Sequence, residues 1–150
     1  MKDFPLSAER IESLKAGILA AFSFTIAYGL LVVVNNFLLF EQFEVFALLP
    51  SISVLEFTSK IAIAFLSGFL FGITYRYIIR EDKNPHLKDG AVLAFALVRG
   101  LATIEAKQNL SELVWLLGLL TIESIVCFAI ARLALDSALH YHLLKPFRNL

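Results

Sequence analysis

The sequence predicts an all-α integral membrane protein, a four-helix bundle with both termini on the cytoplasmic side, and three observations lead there. The 150 residues are 59% hydrophobic and 17% charged, against about 45–50% and 25% in an ordinary soluble domain, and mean hydropathy is +0.77. The apolar excess falls in four stretches, 16–40, 61–79, 90–106 and 113–135, close to the ~20 residues a helix needs to cross a hydrocarbon core of ~30 Å. Basic residues, finally, crowd onto alternate connections between those stretches. The length allows one domain, a single transmembrane domain over 1–150. The two halves share nothing beyond hydrophobicity, which argues against an inverted-repeat transporter.

Residues 1–15 are expected to form an amphipathic N-terminal segment, in which Ser7 caps a short helix, SAERIESLKAG (7–17), that leads into the first span. The first span, 16–40, carries no charge. It is too long for a signal-peptide core and no cleavage pattern follows it, so it is expected to stay as an anchor. The connection 41–60, EQFEVFALLPSISVLEFTSK, is too apolar for a solvated loop and is expected to lie along the outer membrane surface. The second span, 61–79, ends in a charged loop at 80–89, within which Asn84-Pro85 fits an N-cap followed by a first helical position. The third span, 90–106, is the shortest and is interrupted by Arg99 and Glu105. Asn109 with Glu112 resembles a capping box ahead of the fourth span, 113–135.

Orientation follows Lys and Arg rather than net charge, which is zero here. Lys2, Arg10, Lys15, Arg76, Arg80, Lys83, Lys88, Lys145 and Arg148 lie on the side of the termini, nine against Lys60 and Lys107 on the other. Both termini and the 80–89 loop are therefore expected in the cytoplasm, or in the stroma of a plastid. The neutral balance gives no reason to expect a nucleic-acid partner.

Ionisable groups inside a span are expensive and usually face a partner. Arg99 falls nine residues into the third span and Glu123 ten into the fourth, which at ~1.5 Å per residue puts both near mid-bilayer. An Arg99–Glu123 ion pair or shared hydrogen-bond network is expected, either as a structural clamp, the preferred account, or as a relay for protons or substrate. Gly68 and Gly72 form GxxxG beside Ser67, a spacing that lets helix backbones approach closely. Packing within one bundle is preferred over a homodimer seam. Arg76 continues that face, and with Arg80, Lys83 and Lys88 it forms a candidate docking loop. Asn35 and Asn36 suit hydrogen bonding between helices better than a ligand site, and Arg132 and Asp136 suit an i, i+4 pair. Tyr75, Tyr77 and Tyr141 suit an inner interfacial belt and Trp115 an outer one.

His86, His140 and His142 could meet Asp89 and Asp136, but His140 and His142 are two apart and would point to different helix faces. No metal or other cofactor is expected. Cys127 lies in an apolar run, where a reactive thiol is not expected. There is no HExxH, CxxC, P-loop or GxGxxG, and no nucleophile beside a base, so no enzymatic activity is expected.

The string TYRYIIREDKNPHLKDGAVLAFALVRGLA, residues 74–102, resembles a recurrent stretch in a family of small multi-spanning membrane proteins of cyanobacteria and plastids. The resemblance implies a plasma or thylakoid membrane and carries neither an activity nor site residues. The expected role is a non-catalytic accessory or assembly factor that docks, as partner or homo-oligomer, within the bilayer. The alternative is a small oligomeric transporter that uses Arg99 and Glu123.

Overall fold

The computed structural model describes residues 6–42, 54–79, 84–102 and 110–145. The chain is all-helical there: α1 (Leu6–Gln42), α2 (Val54–Ile79), α3 (Pro85–Ala102) and α4 (Leu110–His140). Three of them, over Glu9–Asn35, Val54–Ile79 and Gly118–His140, are long and apolar enough to cross a membrane. The expected third span is the exception. Within the described residues it runs for 18 residues and carries Lys88, Asp89 and Arg99, which leaves that stretch less apolar than the other three; the end of the expected span, 103–106, lies outside the described residues.

Two boundaries also differ from expectation. The expected amphipathic N-terminal segment is continuous with α1 from Leu6, and residues 54–60, expected in the outer loop, are the first two turns of α2. An apolar stretch along an interface and an apolar helical turn share one composition, so hydropathy does not separate them. Residues 41 and 42 of that loop end α1, and 43–53 lie outside the described residues, as do Arg80 and Lys83. The side chains of Asn36, Asn109, Glu112 and Trp115 lie outside them too. At the start of α3, the Asn84 side-chain carbonyl accepts the His86 amide at 3.1 Å, so the N-cap forms where Asn84-Pro85 placed it.

The helices run up-down-up-down. The start of α1, the end of α2, the start of α3 and the end of α4 meet at one end, here the basal end, through Arg76–Glu9 and Lys88–Asp136 ion pairs. Around the ring, α1 packs on α2 and α4, and α4 packs on α3, while α2 and α3 touch far less. The tightest seam is α1 on α2. A Cβ on Gly72 would come 2.4 Å from the Ala16 carbonyl, and one on Gly68 would come 2.7 Å from the Phe24 Cβ. With Ala20 and Ala64 fully buried beside them, this is the close backbone approach GxxxG permits. The motif therefore serves packing within the bundle. At the level above, Phe24, Phe71 and Phe128 are fully buried. The Phe128 ring lies tilted, its centroid 4.5 Å from that of Phe24 and 5.0 Å from that of Phe71, with Phe95 of α3 edge-on 5.7 Å away.

The α4 helix ends in a Schellman turn. The Leu143 amide reaches the Ala138 carbonyl at 2.9 Å and the His142 amide reaches Leu139 at 3.2 Å, with His142 in the left-handed region at φ 57°. This turn folds the chain back and buries Leu144 in the core, which places Lys145 against the basal end.

Candidate functional site

Polar side chains occur at two levels of the bundle. At the basal end Arg76 is 3% exposed. Its Nη2 donates to the Glu9 carboxylate at 2.6 Å and its Nη1 donates to the Ser13 hydroxyl at 2.6 Å and the Glu9 carbonyl at 3.0 Å. Its Nε donates to the Lys145 carbonyl at 3.0 Å, and the Lys145 amide donates to Glu12 at 3.2 Å. One guanidinium thus ties the start of α1, the end of α2 and the turn beyond α4. Arginine suits this because its planar fork serves several acceptors at once.

Beside that clamp, Asp136 accepts the Tyr75 hydroxyl at 2.9 Å and Lys88 Nζ at 3.0 Å. Arg132 Nε stands 3.7 Å from Asp136, the expected i, i+4 pair, and Arg132 also pairs with Asp89. Tyr75, expected in an interfacial belt, is 1% exposed and buried in this network. Of the four expected docking residues, Arg76 is buried against α1, and Lys88, still partly exposed, pairs with Asp136 of α4.

The second level is nearer the middle of the helices. Arg99 Nη1 donates to the Ser67 hydroxyl at 2.9 Å, and that hydroxyl donates on to the Ile63 carbonyl at 2.7 Å. The guanidinium carbon sits 5.1 Å from the Phe24 ring centroid and 5.3 Å from that of Tyr28, inside the range in which an aromatic face attracts a cation. Glu123 accepts a hydrogen bond from the Asn35 amide, so Asn35 does bond across helices. Arg99 and Glu123 line one cavity of about 110 Å³ together with Tyr28 and Cys127. The structure thus brings the two to one place, but among the described residues no ion pair joins them. Each is held by a different helix, Arg99 by α2 and Glu123 by α1.

Arg99 and Tyr28 also line a larger cavity of about 530 Å³ between α2 and α3, the loosest side of the ring. Lys60, Ser67 and Phe95 are in its wall. Lys60 escaped sequence reasoning because it sits in the stretch expected to be loop. Ser67 was visible only as a neighbour of the glycines. Tyr28 had no signal beyond being a polar group in an apolar span. Among the described residues no group of three His, Cys, Asp or Glu side chains could hold a metal. No family model, curated protein or solved structure matches this chain.

Proposed function

We propose that the chain is an integral membrane protein with both termini on the cytoplasmic side, acting as a non-catalytic accessory or assembly factor of a larger membrane complex. The observation that carries the membrane setting is the outward apolar surface. Phe22, Ile26 and Leu30 on α1, Leu66 on α2, and Ile122 and Leu133 on α4 are each 56–64% exposed, apart from smaller side chains between them. A soluble monomer rarely exposes continuous apolar surface on that scale, and helices apolar all round belong in a core or a bilayer. The nine-to-two distribution of Lys and Arg supports the orientation. The likeness of residues 74–102 to cyanobacterial and plastid sequences favours a plasma or thylakoid membrane.

Support for the accessory role comes from how the charges are used. At the basal end the described acids and bases join the chain's own helices, and among the described residues none forms a nucleophile with its base. Lateral apolar faces are what such a body offers to a partner. Affinity purification in mild detergent, with crosslinking and mass spectrometry, is expected to recover a membrane-protein partner. Migration as a free monomer with no crosslinked partner would overturn it.

One observation favours a second reading, transport. Arg99 and Tyr28 stand between the two cavities, with Glu123 in the smaller. In liposomes of the purified chain, flux that is lost in Glu123→Gln with the fold intact would replace the accessory role with transport.

A further inference from the structure

The groove between α2 and α3 has an order along its length. Lys60 stands seven residues before Ser67 on α2, about 10 Å along the axis. Arg99 meets Ser67 at the centre. Leu70 and Phe95 follow one turn further toward the basal end, with Phe128 behind. The described lining therefore holds two cations and no acid, at one half of an otherwise apolar trough. Its volume of about 530 Å³ falls within the ~300–1,000 Å³ of small-molecule sites. It opens sideways, between helices whose outer faces are apolar: Leu66 is 56% and Val98 69% exposed.

A cation in such a wall selects the charge of its occupant. Arginine and lysine both bind phosphate oxygens, arginine as a fork and lysine as a point charge. A lysine near the end of a helix also extends its ammonium toward the head-group region. What presents phosphate oxygens next to an acyl chain, and arrives from the side, is a lipid of the surrounding bilayer.

We propose that the groove between α2 and α3 binds one anionic phospholipid. Its phosphate lies between Arg99 and Lys60, and one acyl chain runs along Leu70, Phe95 and Phe128. The lipid completes the side of the ring where the two helices touch least. A lysine at one end and an arginine at the centre disfavour a zwitterionic head, whose own cation would face them. The proposal rests on membrane insertion, and not on the accessory role.

The test uses the full chain, reconstituted in vesicles of equal parts phosphatidylcholine and phosphatidylglycerol, extracted gently and measured by native mass spectrometry. Phosphatidylglycerol is expected to be retained over phosphatidylcholine by roughly tenfold, because only the choline head brings a cation toward Lys60 and Arg99. Arg99→Gln and Lys60→Gln should each reduce that preference several-fold. Val98→Trp, at an exposed position in the groove wall, should lower retention of both lipids. Lys60 is exposed, so Lys60→Gln and Val98→Trp decide the matter if Arg99→Gln fails to fold. Equal retention of the two lipids overturns the proposal, as does a preference unchanged in Lys60→Gln or a retention unchanged in Val98→Trp. So does a carbonate-resistant chain that retains neither lipid. A chain that alkaline carbonate strips from the membrane overturns insertion and the lipid site together.

Discussion

Replacing Arg76 with methionine keeps most of the side-chain volume and deletes the fork that joins three segments. The bonds lost include those to the Glu9 carboxylate, the Glu9 carbonyl, the Ser13 hydroxyl and the Lys145 carbonyl. Breaking a buried ion pair by removing one partner costs about 3–5 kcal/mol. The Glu9 side chain is 25% exposed, so water recovers part of that loss and the cost falls to about 2–4 kcal/mol. For a chain of this length about 2–4 °C of Tm accompanies each kcal/mol, so a drop of roughly 10 °C is expected. The assay is thermal unfolding in mild detergent followed by tryptophan fluorescence, with limited proteolysis of the C-terminal turn as a second readout. Arg76→Lys keeps the charge without the fork and should fall between the two. In a cycle with Glu9→Gln, a coupling of about 1–3 kcal/mol is expected for groups in direct contact. If Arg76→Met melts within about 2 °C of the parent, less than one kcal/mol on that scale, and the turn stays resistant to protease, the clamp contributes nothing and the reasoning fails.

Four further outcomes are expected. Gly72→Ala should destabilise by about 2 kcal/mol or more, because its Cβ would meet the Ala16 backbone at 2.4 Å and backbone cannot give way cheaply. Gly90→Ala has open space around the new Cβ and should instead raise Tm, by the ~0.5–1 kcal/mol of helix propensity. His142→Gly should stabilise by about 1 kcal/mol, since φ 57° costs a side chain what glycine avoids; a lower Tm would mean that the imidazole makes a contact worth more than the strain. Tyr75→Phe removes the 2.9 Å bond to Asp136 and should cost about 1 kcal/mol, read in the same melts. An unchanged Tm would show that Lys88 and Arg132 suffice for that carboxylate.

Some of this was legible in the residues alone, for identifiable reasons. The i, i+4 spacing of Gly68, Gly72 and Arg76 placed all three on one face, and all three do face α1. The spacing could not say which backbone would approach, because small residues permit contact without choosing a partner. The helical rise gave the depth of Arg99 and Glu123 but not their bearings. The rotation of α3 and α4 is set by packing, in part where a Cβ on Gly100 would come 2.4 Å from the Thr121 hydroxyl. The Arg76 clamp was invisible for another reason. Two of its acceptors are main-chain carbonyls, which every residue carries, and one belongs to Lys145, 69 positions away. The Schellman turn that delivers Lys145 has histidine where glycine would have signalled it.

The two polar levels differ in what they leave available. At the basal end, cations and acids alternate across the helices: Arg76 with Glu9, Lys88 with Asp136, and Arg132 with Asp89. Charge is matched there between segments that must stay together, so a ligand would have to displace a tie between helices. Nearer the middle, Arg99 is steadied by a hydroxyl and two aromatic rings. Those three groups orient the guanidinium toward the groove. The same residue borders both cavities. Burying a charge in that way costs several kcal/mol unless something offsets it, and a bundle selected for stability alone would place leucine there. The energetics therefore separate a basal clamp, whose loss should be read in Tm, from a central arginine, whose loss should be read in what the groove binds.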